Sequence, residues 1–138
     1  MAVRILIADD NPSVRQAVRE ALDRRPDWEV CGAAIDGLEA VELTAALNPD
    51  LVILDLSMPR MNGFQAARAI RSAAPRLPIL LLTQYPIETQ IETGAREAGF
   101  GGAVTKGSFA SLLRAIESLL QGKTFFESPV SKIRPQAE

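Results

Sequence analysis

Short, wholly apolar runs alternate along this chain with segments whose apolar residues recur at helical spacing. Three of the runs, ILIA, LVIL and ILLL, show no polar alternation, which is typical of strands covered on both faces in a parallel sheet. The segment from Val14 carries apolar residues at i, i+3, i+4, i+7 and i+8, as an amphipathic helix does. Asn11 and Pro12 before it suit the N-cap and first turn of that helix. Five such strand–helix units predict an α/β fold with right-handed crossovers.

The boundaries of the domain follow from the same periodicity. Strands are predicted over residues 4–8, 29–34, 51–54, 79–82 and 102–105. The periodicity stops near Gln121, where proline and charged residues increase. The sequence therefore predicts a single domain over residues 1–122 and a C-terminal linker or disordered tail over residues 123–138.

Composition excludes several classes of function. A net charge of −2 over 138 residues indicates neither direct nucleic-acid binding nor a polybasic membrane surface. The absence of histidine excludes Ser-His and Cys-His catalysis, His-ligated metals and a phosphohistidine carrier. A lone Cys31 fits a reducing compartment, and no apolar run approaches the roughly 20 residues of a membrane span. We expect a cytoplasmic protein without a secretory signal.

Polar side chains stand at the ends of four predicted strands. Asp9 and Asp10 follow the first strand, Asp55 the third, Thr83 the fourth and Lys106 the fifth. Because the carboxyl ends of parallel strands share one edge of the sheet, these residues are expected to converge there. Taken singly, an Asp pair suits a helix cap, and a threonine or lysine suits an ordinary buried or solvated position. The occurrence of all five residues at strand ends, in the order that such a site needs, favours a functional site.

The chemistry expected of such a site is phosphoryl transfer. Three clustered carboxylates need a neutralising charge, and Mg²⁺ prefers carboxylate, water and phosphate oxygens. With the metal held by Asp9 and Asp10, the carboxylate of Asp55 is free to attack phosphorus. Lys106 and Thr83 can then bind two of the phosphoryl oxygens, and the product is an aspartyl-phosphate.

Four strings of the sequence carry a resemblance to a known family. They are ILIADDNP, DLVILDLSMPRMNGF, ILLLTQY and AGFGGAVTKGS, and they resemble the CheY-like receiver domains of two-component response regulators over about residues 3–121. The resemblance implies a flavodoxin-like, doubly wound sheet of five parallel strands, in the order 2-1-3-4-5, with five helices. It also implies a non-enzymatic switch that catalyses only its own phosphorylation and dephosphorylation.

The resemblance assigns a role to each residue of the site. Asp55 is similar to the phosphoacceptor, Thr83 to the switch hydroxyl and Lys106 to the phosphate-pairing lysine. The implied Mg²⁺ ligands are Asp10 directly, Asp9 largely through water, Asp55, and the backbone carbonyl of Ser57. The implied partner is a sensor histidine kinase or phosphotransfer protein, with homodimerisation as a further possibility.

The segment RPDWEVCGAAIDGLEAVEL, with QGKTFFESP after the last helix, looks closest to the branch that carries a LuxR-type helix-turn-helix effector. The implied output is transcription regulation through an effector that these 138 residues do not include. The chain is interpreted either as a receiver taken from a longer regulator or as a stand-alone receiver.

Three positions depart from the family pattern. Ala103 stands where the family usually has Tyr or Phe, Gln84 where it has a small residue, and Gly107 where proline usually follows the lysine; LuxR-type receivers commonly lack that proline. The first two motivate an alternative, a pseudo-receiver read without phosphorylation. A haloacid-dehalogenase-like phosphatase is a weaker alternative because Ser57 stands where that family needs a second Asp. A dinucleotide fold is weaker still because no glycine-rich loop follows the first strand.

Overall fold

The structure is a computed structural model that describes residues 2–107 and 109–127. In this part of the chain six strands and five helices alternate. The strands are Val3–Ala8 (β1), Trp28–Ala34 (β2), Leu51–Leu54 (β3), Ile79–Thr83 (β4), Gly102–Thr105 (β5) and Phe125–Phe126 (β6). The helices are Pro12–Leu22 (α1), Gly37–Leu47 (α2), Gly63–Ala73 (α3), Thr89–Ala98 (α4) and Phe109–Leu120 (α5). The five predicted strands lie within one residue of the observed bounds.

All strand pairs of the sheet are parallel, and the strand order is β2-β1-β3-β4-β5-β6. The predicted order 2-1-3-4-5 is therefore confirmed, and one strand extends it. Strand β6 falls within the segment predicted to be a linker or tail; residues 128–138 of that segment lie outside the described residues. A strand of two residues has no periodicity to recognise. Gly102 lets β6 approach β5 closely, because it has no side chain and a Cβ there would lie 2.5 Å from the carbonyl oxygen of Phe125.

Two hydrophobic clusters cover the two faces of the sheet, which explains why the central strands are apolar without alternation. In β3, Val52 and Leu54 point into one cluster and Leu51 and Ile53 into the other. The first cluster packs against α2, α3 and α4 through residues that include Ala40, Ala66, Ala67, Ile70, Ala95 and Ala98. The second packs against α1 and α5 through Val18, Ala21, Leu22, Leu112, Ala115, Ile116 and Leu119.

The loop after β1 shows how the strand ends are fixed. Asn11 is the N-cap of α1, as predicted: its side chain accepts hydrogen bonds from the backbone N–H groups of Ser13 and Val14. Pro12 follows in the first turn, where its missing N–H costs no helical hydrogen bond. The helix therefore begins directly after the Asp9–Asp10 pair. Within the described ranges, no helix combines the length and apolar character needed to cross a bilayer.

Candidate functional site

Three carboxylates meet at the carboxyl ends of β1 and β3. Asp9 and Asp10 follow β1, and Asp55 follows β3. The backbone N–H of Asp55 donates to the carbonyl oxygen of Ala8 at 2.9 Å, so the pairing of the two strands continues to the edge of the sheet. One carboxylate oxygen from each Asp lies within 4.8 Å of the others. Asp9 and Asp55 are buried, whereas Asp10 is exposed.

Lys106, which follows β5, supplies the opposing positive charge. Its Nζ lies 2.8 Å from Oδ2 of Asp9 and 3.3 Å from Oδ1 of Asp55. Burial acts to lower the pKa of Lys106, but the two carboxylates outweigh it and raise the pKa above its ordinary value. The pKa of Asp55 is also raised, first by burial and then by the negative charge of Asp9. One ammonium therefore contacts two of the three carboxylates.

The carboxylate set fits a hard divalent cation. Oδ2 of Asp9 is buried, and the ammonium of Lys106 lies 2.8 Å from it. One ammonium cannot offset the charge of three clustered carboxylates, so a further cation would relieve their mutual repulsion. Asp10 is exposed beside Asp9 and leaves the site open to water. Mg²⁺ commonly binds through one or two carboxylates and several waters, and this donor set matches that preference.

Thr83 is the last residue of β4 and is fully buried. Its hydroxyl oxygen accepts a hydrogen bond from the backbone N–H of Tyr85 at 3.2 Å. Its carbonyl oxygen accepts from the N–H of Lys106 at 2.9 Å, because β4 and β5 are paired up to Thr83 and Thr105. Thr83 thus connects the loop after β4 with the lysine of the site.

A cleft of about 230 Å³ opens above the strand ends. It contains predicted site residues from three loops and both residues that follow Thr83. Its lining residues are Asp10, Asn11, Asp55, Ser57, Gln84, Tyr85 and Lys106. Gln84 and Tyr85 are exposed at its rim. Ser57 reaches the cleft, and the role of its carbonyl as a metal ligand stays a prediction.

The loop between β3 and α3 is held against the site by a glycine. The N–H of Gly63 donates to the carbonyl of Leu56 at 2.8 Å, and a Cβ at Gly63 would lie only 2.2 Å from the carbonyl oxygen of Asp55. Asn62 and Gln65 close a reciprocal capping box at the start of α3. The turn at Asn62 and Gly63 therefore packs directly on the backbone of Asp55.

Arg15 is a supporting residue that the sequence analysis missed. Its guanidinium donates to the carbonyl oxygen of Asp9 at 2.7 Å and so ties α1 to the end of β1. The only sequence signal was its place one turn into α1, six residues after Asp9, and many surface arginines share such a place. The carboxylate of Asp9 is fixed separately by the N–H of Asn11 at 2.9 Å.

A family model described as "Response regulator receiver domain" matches residues 5–117. The chain belongs to this family. Receiver domains of two-component response regulators thus account for most of the described residues, and the resemblance inferred from the four strings is confirmed. The fold, a parallel sheet with five helices and a short sixth strand β6 at its edge, is the CheY-like receiver fold.

Individual relatives place this receiver near LuxR-type regulators. A LuxR-family response regulator from Aurantimonas sp. SI85-9A1 has a crystal structure that is similar over 100% of both chains, with 35% identity and a TM-score of 0.88. The transcriptional regulatory protein YxjL of Bacillus subtilis is 32% identical over 91% of this chain and 58% of its own length. A protein-glutamate methylesterase/protein-glutamine glutaminase of Nocardioides sp. is 40% identical over 85% of this chain and 32% of its own length. The chain spans less than two thirds of either curated relative.

Proposed function

We propose that this receiver takes a phosphoryl group onto Asp55 with the help of Mg²⁺ and thereby switches its conformation. The observation that carries the proposal is the meeting of Asp55 with Lys106 and two further carboxylates at the floor of an open cleft. A half-buried lysine that contacts two carboxylates at once can also bind an oxygen of a phosphoryl group placed on one of them.

Each residue has a part in the proposed reaction. An oxygen of Asp55 attacks the phosphorus of a phosphohistidine, the P–N bond breaks, and the donor imidazole leaves. Lys106 and the hydroxyl of Thr83 bind phosphoryl oxygens and offset their charge. Asp9, Asp10, Asp55 and the carbonyl of Ser57 would hold Mg²⁺, which when bound neutralises charge on the phosphoryl group.

The proposed partners are those that this chemistry requires. A phosphorylated histidine kinase or phosphotransfer protein supplies the phosphoryl group, and a second copy of this chain is the proposed partner of the phosphorylated form. The proposed output is transcription regulation through an effector, as the names of YxjL and of the LuxR-family structure suggest for those proteins. The proposed location is the cytoplasm, where the free thiol of Cys31 stays reduced.

The test is phosphorylation by a small donor. With acetyl phosphate and Mg²⁺ the protein should gain one phosphoryl group by intact mass, hydroxylamine should remove it, and Asp55→Asn should not acquire it. Asp10→Asn should raise the Mg²⁺ concentration needed. Because Gln84 stands at the rim of the cleft, the experiment is repeated with a phosphorylated kinase. Failure with both donors would favour the pseudo-receiver, which the absence of an aromatic at Ala103 motivates.

A further inference from the structure

The segment after α5 returns to the sheet and binds the edge of β5. We call residues 125–127 the clasp. The N–H of Phe125 donates to the carbonyl of Gly101 at 3.1 Å, and the N–H of Glu127 donates to the carbonyl of Ala103 at 2.9 Å. Phe125 and Phe126 pair in parallel with Gly102 and Ala103. The clasp therefore covers the strand that ends one residue before Lys106.

The carboxylate of Glu127 continues this pairing beyond the point where β6 ends. Its Oε1 accepts hydrogen bonds from both the backbone N–H and the hydroxyl of Thr105, at 2.8 and 2.9 Å. It stands where a longer sixth strand would offer a backbone carbonyl. Thr105 immediately precedes Lys106 and pairs in register with Thr83. One side chain of the clasp thus fixes the residue that joins β5 to the lysine of the site.

The clasp also contacts α4. Phe126 lies in register with Ala103 and packs against the hydrophobic cluster on the α4 side of the sheet. The guanidinium carbon of Arg96 lies 4.0 Å from the centre of the Phe126 ring, and the same guanidinium pairs with Glu92 at 2.9 Å. An aromatic ring from the neighbouring strand therefore lies beside Ala103, the position at which this chain has no aromatic of its own.

We propose that Glu127 is a positioning residue for Lys106, and that through it the clasp responds to the state of the phosphorylation site. The proposal rests on the proposed function. The backbone of Lys106 is held from two sides, by its own hydrogen bond to Thr83 and by the bonds of Glu127 to Thr105. The ammonium of Lys106 can move from Asp9 toward a phosphoryl oxygen only as far as the position of this backbone permits. By thermodynamic linkage, if the bonds from Thr105 to Glu127 favour one position of Lys106, then a movement of Lys106 changes the strength of those bonds.

The first test compares phosphorylation rates of Glu127→Ala, Glu127→Gln and a control, Glu97→Ala, which removes an exposed carboxylate from α4. At saturating Mg²⁺ and acetyl phosphate, Glu127→Ala should react roughly three- to tenfold more slowly, the scale expected from a small misplacement of a reacting group. Glu127→Gln keeps an acceptor oxygen and should recover most of the rate. The Mg²⁺ dissociation constant of Glu127→Ala should change by far less than the rate, because the ammonium of Lys106 is displaced but kept and no metal ligand is removed. An unchanged rate in Glu127→Ala, or a loss that Gln does not rescue, overturns the positioning role.

The second test needs no phosphorylation and so separates this proposal from the proposed function. In the free protein, Glu127→Ala should shift the side-chain carbon resonance of Lys106 next to Nζ, while Glu127→Gln and Glu97→Ala should leave it in place. Beryllofluoride with Mg²⁺ should in turn change amide exchange at Glu127 in the wild type. If the wild type takes no phosphoryl group, the proposed function fails, and the Lys106 resonance alone decides the positioning role. If Glu127→Ala leaves the Lys106 resonance unchanged, the positioning role of Glu127 is wrong.

Discussion

Lys106 and Asp9 form the closer of the two ion pairs in the site, with the ammonium nitrogen 2.8 Å from Oδ2. The same carboxylate is a proposed ligand of Mg²⁺. The lysine and the metal are therefore two cations that share one buried acidic group. Their mutual repulsion opposes metal binding, whereas both are needed to offset the charge of a phosphoryl group on Asp55.

Lys106→Met should consequently affect the two steps in opposite directions. Removing the ammonium should tighten Mg²⁺ binding by about tenfold, since nearby unit charges in a partly buried site interact by a few kcal/mol at most. The same substitution should slow phosphorylation of Asp55, because a phosphoryl oxygen loses its partner. Isothermal titration with Mg²⁺ and the rate of modification by acetyl phosphate measure the two effects.

Lys123→Met is the matched control, since Lys123 is exposed beyond α5. It should alter neither the Mg²⁺ affinity nor the phosphorylation rate. Weaker Mg²⁺ binding in Lys106→Met would contradict this prediction, because it would show that the lysine organises the carboxylates more than it repels the metal.

Asp55→Asn should stabilise the fold at neutral pH in the absence of divalent metal. Burial and the charge of Asp9 raise the pKa of Asp55 in the folded protein above its ordinary value of 3.8. As the pH rises, the unfolded chain therefore loses this proton first, and the penalty on folding grows until the folded carboxyl has ionised too. The variant should gain roughly 1 kcal/mol at pH 7 by urea unfolding, the size of a typical single-substitution effect.

The pH dependence distinguishes this cause from a packing effect. The advantage of Asp55→Asn should vanish below pH 3.8, where both the folded and the unfolded wild-type carboxyl are protonated. It should also shrink when Mg²⁺ is added to the wild type. Glu29→Gln, at an exposed position in β2, serves as the control for loss of one negative charge. An advantage that persists at acid pH would point to packing instead.

Much of this fold and site follows from local sequence patterns. Apolar runs without alternation predicted doubly covered strands, and strand-end positions predicted that Asp9, Asp55 and Lys106 meet, since parallel strands share one edge. The clasp escaped prediction because its strand, β6, has only two residues and therefore no periodicity. Arg15 escaped for a different reason: its bond is to a backbone carbonyl, and no residue type at Asp9 marks that carbonyl as an acceptor.

The sequence alone predicts only part of the role of Gly94. By its intrinsic propensity, Gly94 lowers the stability of α4 by roughly 1 kcal/mol relative to alanine. In the structure a Cβ at this position would lie 2.8 Å from the ring of Phe64, so the glycine also lets α3 and α4 approach. Propensity is a property of one residue, whereas this approach depends on a side chain thirty positions away in the chain.

Gly63→Ala should both destabilise the protein and impair the site. The added methyl group would stand 2.2 Å from the carbonyl oxygen of Asp55, which is backbone and cannot rotate away. Overpacking of this kind costs about 1–3 kcal/mol, measurable as a lower urea midpoint. The phosphorylation rate should fall as well, because Asp55 must shift. Gly107→Ala is the control for stability, since nothing lies within 4 Å of a Cβ there, and it should unfold at the wild-type midpoint.

The switch itself should depend on Thr83 and act first on the loop after β4. The Thr83 hydroxyl accepts from the N–H of Tyr85, and a phosphoryl group on Asp55 would attract that hydroxyl through a stronger, charge-assisted bond. The contact with Tyr85 would then be lost. The next helix, α4, has Glu88 as its N-cap and no side-chain capping bond, so its first turn can respond readily.

Amide exchange with and without beryllofluoride and Mg²⁺ should therefore change most over residues 83–87 and in α4. Thr83→Ala should lose most of this response, together with about 1 kcal/mol of stability from the missing hydrogen bond. Thr83→Ser, which keeps the hydroxyl, should retain it. Because a two-state element moves only when contacts differ between its states, the response must follow the hydroxyl. An undiminished response in Thr83→Ala, or changes confined to α1, would refute this route.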